Sequence, residues 1–512
     1  MKYLVALGLI IGCLLNLHAQ PDIQWQKSLG GSQLDVAYSS QSTPDGGFIV
    51  VGKTLSNNGD VFGNHGGNDF WVIKLDATGQ VIWKKCLGGS NNDRATSVFA
   101  TSDFGYIVAG HSESNNGQVS GNHGGIDSWV VKLDANGMIA WQLCLGGSGW
   151  EDASKIIETK DKGFAFAGRT TSFDGDVVGY QGNIDAWVVK LTSSGTIQWQ
   201  KSLGGSDLDI AYSLAETTDG GIVVVGESAS NDGDLSGVHG STDYMVVKLD
   251  AQGEVVWQKM YGTSSIDRAN DIYPTNDGGF IVGGQISGSD GDVSVHKGSY
   301  DIWVIKLDSL GSLQWEKTVG GSGLDICSSL IQVDDNKIVL VGVTQSTDGD
   351  AVGNNGGEDL WVIQVSENGS LIWQKTLGGS QSEIGSSVIQ TNDDGLLIVG
   401  ESRSANGDVL SNQGSSDFWI VKLASETSST QTPAAIPLNL YPNPATQWIT
   451  LSLPIIEQNM QVSITDEQGR VLQIRSIRTD EKLDIAALPK GIYWVSALSK
   501  SGQLYSGKFV KG

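Results

Sequence analysis

Basic residues are scarce in this chain, as are cysteines, long apolar runs and recognisable catalytic motifs. Lys and Arg together number 32 against 57 Asp and Glu, a formal net charge of −25. So acidic a protein does not neutralise phosphates, which excludes nucleic acid and anionic lipid as partners and leaves cations or basic groups. Charged residues of both signs make up only 17%, against 39% hydrophobic, and that balance is not a disordered one. There is no Gly-x-Ser-x-Gly elbow, no phosphate loop and no His-Glu-x-x-His, so the common nucleophile, nucleotide and zinc-protease signatures are absent. Beyond the first twenty residues no stretch approaches the ~18 apolar residues of a membrane-spanning helix.

The one long apolar stretch opens the chain. In MKYLVALGLIIGCLLNLHAQ, Lys2 precedes an almost wholly apolar 3–17, and Leu17-His18-Ala19 ends on a small residue. That is the pattern of a cleaved secretory signal peptide over 1–19. Ile10-Ile11-Gly12-Cys13 also fits a lipoprotein cleavage box, although the apolar run continues past Cys13. Cleavage after Ala19 leaves Cys86, Cys144 and Cys327. Cys86 and Cys144 share one repeat position, filled elsewhere by Ser28, Ser202, Met260, Thr318 and Thr376. Equivalent positions in successive copies lie beyond the ~7 Å Cα separation a disulfide tolerates. Small buried free thiols are expected.

What the chain does have is glycine, 69 residues of it, and tryptophan at a fixed step. Trp25, Trp83, Trp141, Trp199, Trp257, Trp315 and Trp373 are each 58 residues apart. Trp71, Trp129, Trp187, Trp303, Trp361 and Trp419 keep the same step, with Met245 filling the missing place. Copies of this size cannot bury a core alone and must stack or close on one another. Within one copy, Asp35 to Ser40, Phe48 to Val51, Phe70 to Leu75 and Val81 to Lys85 read as four strands joined by turns. Together they make an antiparallel meander. The Val81 position is always aliphatic and its neighbour varies, which puts Val81 and Trp83 on the covered face and Ile82 on the open one. A turn over Asp76 to Gly79 sets Ile73 opposite Trp83 and Trp71 opposite Lys85. Each tryptophan is expected to wedge against the adjacent sheet.

The copies do not begin and end in phase. Ile23 to Leu29 is a fourth strand with no third before it, and Asp417 to Leu423 is a third strand without its fourth. Pairing the two removes both exposed edges. The expected fold is therefore all-β: a seven-bladed β-propeller over 21–424, closed by pairing of N- and C-terminal strands. The recurrent wording supports this. Leu87-Gly88-Gly89-Ser90, a following acidic residue, Phe-Ile-Val-Val-Gly, and Gly-Gly-Asn-Asp-Phe-Trp-Val-Ile-Lys-Leu-Asp-x-x-Gly resemble the bacterial β-propeller repeat (SBBP) family over about 23–423. The resemblance implies an extracytoplasmic propeller and no particular activity.

A Ser/Thr-rich stretch, 425–435, reads as a linker, and beyond it the 58-residue period stops. Short alternating strands over 436–512 suggest a compact β-sandwich. This tail resembles the C-terminal sorting domain of the type IX secretion system. The residues that carry the likeness are Tyr441-Pro442-Asn443-Pro444, Gly491-Ile492-Tyr493 and Lys508-Phe509-Val510-Lys511. It implies export across both membranes, recognition by the type IX machinery, and often cleavage with attachment to surface polysaccharide.

Candidate binding groups are acidic and repeat. Asp35, Asp93, Glu151, Asp209, Asp267, Asp325 and Glu383 enter each copy. Asp60, Asp176, Asp234, Asp292, Asp350 and Asp408, with Gln118 the exception, sit in the long loop, and Asp69, Asp127, Asp185, Asp243, Asp301, Asp359 and Asp417 precede the tryptophan strand. All should emerge on one rim, a candidate Ca²⁺ surface centred on Asp35, Asp60, Asp69, Asp93, Asp127, Asp176, Asp185, Asp209, Asp234 and Asp243. The competing reading is that each pins its own loop through backbone N–H groups. A fourth series, Asp45 to Asp393 and including Asp335, lies in tight turns and reads as structural. His65, His123 and His239 sit in different copies, so a zinc site is not expected. Lys74 and its equivalents should partner acids or rings at strand ends. Trp150 alone breaks the symmetry of the loops. These features describe a secreted or surface binding or structural module for a glycan, polysaccharide or protein. A glycan hydrolase or lyase at the propeller channel is the alternative.

Overall fold

The computed structural model describes residues 20–333, 336–426, 436–452, 460–465, 471–477, 481–498 and 504–512. The signal segment 1–19, most of the linker and Asp335 lie outside the described residues. Every named element is a strand, and no helix among the described residues is long and apolar enough to cross a membrane. The chain divides into two units after Glu426. The first unit runs slightly past 424 because Glu426 is held there, accepting from Trp373 Nε1 at 2.5 Å and pairing with Lys337 at 3.3 Å.

Seven four-stranded antiparallel sheets fill 23–423. Their first strands are Asp35–Ser42, Asp93–Ala100, Glu151–Glu158, Asp209–Glu216, Asp267–Pro274, Asp325–Gln332 and Glu383–Gln390. Sheets one to seven are numbered in that order. Six are sequential meanders; in sheet seven the fourth strand is Ile23–Leu29, antiparallel to Asp417–Leu423. The first strand of each sheet touches that of the next, and Glu383–Gln390 touches Asp35–Ser42. Seven apolar clusters occupy the junctions between consecutive sheets, the last joining Leu397, Val399 and Phe418 to Ala37, Phe48 and Trp71. This is why second and third strands such as Phe48–Thr54 and Asp69–Leu75 are nearly continuous apolar runs: both faces are covered.

The two tryptophan series do different work. Trp71 is fully buried, edge-on to Phe418 of the preceding sheet at 4.5 Å. Trp83 is only partly covered and reaches the following sheet, 5.9 Å from Tyr106 and against Gly137, where an added Cβ would strike its ring at 2.9 Å. The register of the outer hairpin differs from the sequence reading. Leu75 opposes Val81 as the turn demands, but Trp83 opposes Lys74 and Trp71 opposes Cys86. The extra residue is Ile82, which bulges out of the ladder and shifts every later pair by one.

A second bulge recurs in each first strand, between Ala37 and Ser39 in sheet one. The unpaired residue is Tyr38, Thr96, Ser154, Tyr212, Asn270, Ser328 or Ser386, and all seven line one cavity on the ring axis. Just beyond, side chains stitch neighbouring sheets: Val98 N donates to Ser39 Oγ, Ile156 N to Ser97 Oγ, and Val388 N to Ser329 Oγ.

The second unit holds a five-stranded and a three-stranded sheet. Leu440, Ile449, Leu451 and Leu483 from one sheet and Val462, Ile464, Tyr493, Val495 and Phe509 from the other share a single core.

Candidate functional site

The rim acids are mostly inside the protein. Asp35 is fully buried, its carboxylate accepting from Gly31 N at 2.8 Å, Thr54 Oγ1 at 2.5 Å and Ser56 Oγ at 2.8 Å. Asp93 and Asp209 are held in the same way, by Gly89 N at 2.7 Å and Gly205 N at 2.9 Å. These are loop-pinning contacts of the kind that compete with ligand binding. Asp60, Asp176 and Asp234 are partly exposed and cap the glycine loop, with Lys84 3.1 Å from Asp60 and Lys201 3.4 Å from Asp234.

The third series is different. Asp69, Asp127 and Asp243 take the N–H and Nδ1 of His65, His123 and His239 on one oxygen, and Asp185 takes Gln181 N. The other oxygen, Oδ1, is buried without a partner in all seven copies. It faces the first series across a glycine: a Cβ on Gly88 would lie 2.8 Å from Asp69 Oδ1 and 2.6 Å from Asp93 Oδ2. Burial pushes Asp69 up to about 6 against the pull of His65, and burial with the nearby Asp209 and Asp234 raises Asp185 to about 6. The acids therefore meet as pairs at sheet junctions, and no three metal-liganding side chains converge among the described residues.

At the other end of the strands, Lys74 is buried and bonds Asp45 at 3.0 Å and the Leu75 carbonyl at 3.0 Å. Lys132, Lys190, Lys248, Lys306 and Lys422 repeat this with Asp103, Asp161, Asp219, Asp277 and Asp393. Cys86, Cys144 and Cys327 are free and buried.

The arrangement that breaks symmetry is on the axis. A cavity of about 570 Å³ is bounded by the first strands of all seven sheets, a size in the range of small-ligand sites. Two cross-strand positions border it, and Arg94, Asp152, Ile210, His111 and Arg169 from them line its wall. One runs Val36, Arg94, Asp152, Ile210, Arg268, Ile326, Ile384; its partners across the ladder are Lys53, His111, Arg169, Glu227, Gln285, Val343 and Glu401. Neighbouring positions keep their character from copy to copy, whereas these change in charge, size and polarity. The Arg94 guanidinium lies 4.2 Å from the Tyr38 ring centre, and that of Arg169 covers Trp150 at 4.0 Å while its Nε donates to Asp152 at 3.0 Å. On the far side Arg268 pairs with Glu227 at 3.0 Å, and Tyr212 donates to the same carboxylate at 2.6 Å. Buried Arg94 Nε, Arg268 Nε and His111 Nδ1 have no partner. Burial, with Arg94, Arg169 and Lys53 adding, pulls His111 down to about 3. Below the cavity lies a smaller one of about 90 Å³, where Lys155 and Asp271 approach at 3.8 Å.

Sequence reading found Trp150 and missed the rest of this site. The signal was present as a loss of periodicity at positions 36, 38 and 53 of the repeat, but only the bulge and the strand pairing show that those three positions meet.

In the tail, the two ends of the sorting motif meet. Asn443 Nδ2 donates to the Lys508 carbonyl and Asn443 Oδ1 accepts from Val510 N, both at 2.9 Å. Tyr493 stacks on Phe509 at 5.5 Å and donates to the Pro489 carbonyl at 2.8 Å. Tyr441 is exposed. Pro442 and Pro444 flank Asn443, and Gly491 pairs with Lys511 across the last two strands.

Residues 439–511 match the family described as "Secretion system C-terminal sorting domain". No curated protein matches the chain in sequence. Among solved structures the chain is similar to Sqt1 from Chaetomium thermophilum, with 12% identity over 79% of this chain and 99% of that one, at a TM-score of 0.41. It is also similar to PorZ, a surface component of the type-IX secretion system of Porphyromonas gingivalis, with 11% identity over 91% and 69% and a TM-score of 0.33. A puromycin hydrolase shares 10% identity over 93% and 60%, with a TM-score of 0.43.

Proposed function

We propose that the chain is a secreted or cell-surface, non-catalytic binding module. In this reading the ring is a seven-bladed β-propeller, the tail is a β-sandwich read by the type IX secretion machinery, and the ligand sits at the channel mouth. The export half rests on the sorting-domain match at 439–511. The binding half rests on one observation: a repeat that holds its tryptophans, glycines and aspartates to a fixed step gives up that regularity where seven strands surround a cavity. Unlike groups held on rigid strands are what a specific site requires.

A hydrolase or lyase at the same mouth is the competing reading, and the unlike carboxylates Asp152, Glu227 and Glu401 speak for it. Against it, each is engaged: Asp152 by Arg169, Glu227 by Arg268 and Tyr212, Glu401 by Ser416 and Arg403. A general base needs a carboxylate free to reach substrate.

The test is a glycan and surface-protein binding array probed with the full chain, with released reducing ends or unsaturated products assayed in parallel. Binding that is lost in an Arg94→Gln, Trp150→Ala double variant supports the module; product formation overturns it in favour of the enzyme. Retention inside the outer membrane on deletion of 436–512 checks the export half.

A further inference from the structure

Resting on the binding-module reading, the charge and ring pattern at the channel mouth goes on to define the ligand. The protein is strongly acidic, yet the cavity wall over sheets two and three carries Arg94 and Arg169 against the carboxylate of Asp152, with Lys53 and Glu401 facing each other beside it. Arg169 and Ser154 bond that carboxylate. The Arg94 guanidinium lies on the face of Tyr38 with its charge acting on Asp152, and its Nε is buried without a hydrogen-bond partner. A guanidinium so placed is a fork awaiting an oxyanion, because its donors cost free energy while unmade and gain most from a planar carboxylate. Beside it, Trp150 is 40% exposed with one face closed by Arg169, which leaves the rest of the ring open to a flat apolar partner. Ser328 and Ser386 line the same cavity, where Thr96, Ser154 and Asn270 bond to protein groups. Lys155 and Asp271 approach each other at 3.8 Å below the cavity.

We propose that the mouth binds the end of an acidic saccharide, a uronate-bearing glycan whose carboxylate meets Arg94 and whose sugar face lies on Trp150. Arg169 supplies a second positive charge, and the Ser328 and Ser386 hydroxyls read the sugar oxygens. Carboxylate and ring together separate this ligand from a neutral sugar, which would leave Arg94 unmet, and from an acidic peptide, which has no sugar face for Trp150.

The experiment is calorimetric titration of the full chain with trigalacturonate, triglucuronate and trimannuronate, the methyl esters of each, and a glutamate oligomer. At least one free acid should bind, with its ester about tenfold or more weaker, the loss of one charge-assisted contact. Arg94→Gln should weaken binding to a similar degree with an unchanged melting temperature, and Arg94→Lys should restore part of it. Rising salt should weaken the acid and leave the ester unaffected. Equal binding of acid and ester overturns the carboxylate assignment and leaves the binding module standing. Equal binding of the glutamate oligomer overturns the saccharide assignment. No binding by any of the three acids overturns the proposal, and the glycan array then decides whether the module reading falls with it.

Discussion

Ser40 donates its backbone N–H to Ser387 Oγ at 3.3 Å, across 347 residues of sequence. The two hydroxyls also lie 3.2 Å apart. Around the axis the same contact recurs between neighbours 59 residues apart, as from Val98 N to Ser39 Oγ. The seventh junction is therefore built like those between sheets one and two, two and three, and six and seven, and the pairing of Ile23–Leu29 with Asp417–Leu423 lies on its outer side.

If that outer strand holds the circle, removing residues 21–30 should lower the stability of the whole first unit. The deletion strips one strand from sheet seven, exposing Phe418 and Trp419, which are otherwise fully buried, and leaves an unpaired edge. Calorimetry should show a single transition at markedly lower temperature. A transition at the wild-type temperature would mean the strand is dispensable.

The two tryptophan series should respond unequally to truncation. Trp71→Ala empties a fully enclosed site between sheets one and seven and should cost about 3–5 kcal/mol in urea unfolding. Trp83→Ala removes a ring already partly in water and should cost clearly less. Equal losses would contradict the packing described.

Stability should peak on the acid side of neutrality, between about pH 4 and 5. Asp69, Asp185, Asp267, Asp359 and Asp417 are raised to about 6, chiefly by burial. The native form thus takes up protons that the unfolded chain, with carboxyls near 3.8, takes up only later, and stability rises as pH falls from neutral. Asp103, Asp161 and Asp277 are held down at about 2: burial opposes the shift, and threonine, lysine and backbone hydrogen bonds outweigh it. Their contribution is present above pH 4 and is lost as pH falls towards 2. Asp359→Asn should raise the melting temperature at pH 8 and flatten its rise between pH 7 and 5. Calcium at pH 8 should leave the wild-type melting temperature where it is; a rise that this variant abolishes would assign the junction pairs to a cation instead of a proton.

The thiols should be inert in the folded protein. Burial, with nearby aspartates adding, pushes Cys86 and Cys144 to about 12, which removes the reactive thiolate. A disulfide reagent should titrate them only in denaturant; rapid labelling of the native chain would contradict the burial.

Asn443→Ala should loosen the tail, since it breaks two hydrogen bonds to the last strand and leaves Val510 N without its acceptor. About 1–3 kcal/mol is expected, read as a lower melting temperature of the second unit alone and as reduced export.

Part of this architecture is legible in the sequence alone. Trp71 and Trp83 recur at a fixed step because every sheet packs on a copy of itself, so equivalent rings meet equivalent walls; four strands and their order follow from that spacing. The out-of-phase ends, Ile23 and Leu423, likewise declare themselves in the sequence. Asp35 was ambiguous, because an aspartate in a glycine loop looks the same whether it grips a cation or its own backbone. The difference lies in the distances to Gly31, Thr54 and Ser56.

The sequence by itself determined the repeat, the strands and the secretion tail, because each is written in local patterns of apolar residues and turns that any copy can satisfy alone. Only the tertiary structure decided where the chain can recognise something. Two bulges reset the strands, moving Trp71 opposite Cys86 and turning Tyr38 toward the axis. The unpaired residues vary from Tyr38 to Ser386 and do not themselves mark the bulge; the only local trace is the glycine of the second strand, Gly52 in sheet one, where an added Cβ would strike the Val36 carbonyl. Arg94, Tyr38 and Trp150 share a cavity only because separate sheets were brought round one axis, and closure is a property of the whole ring.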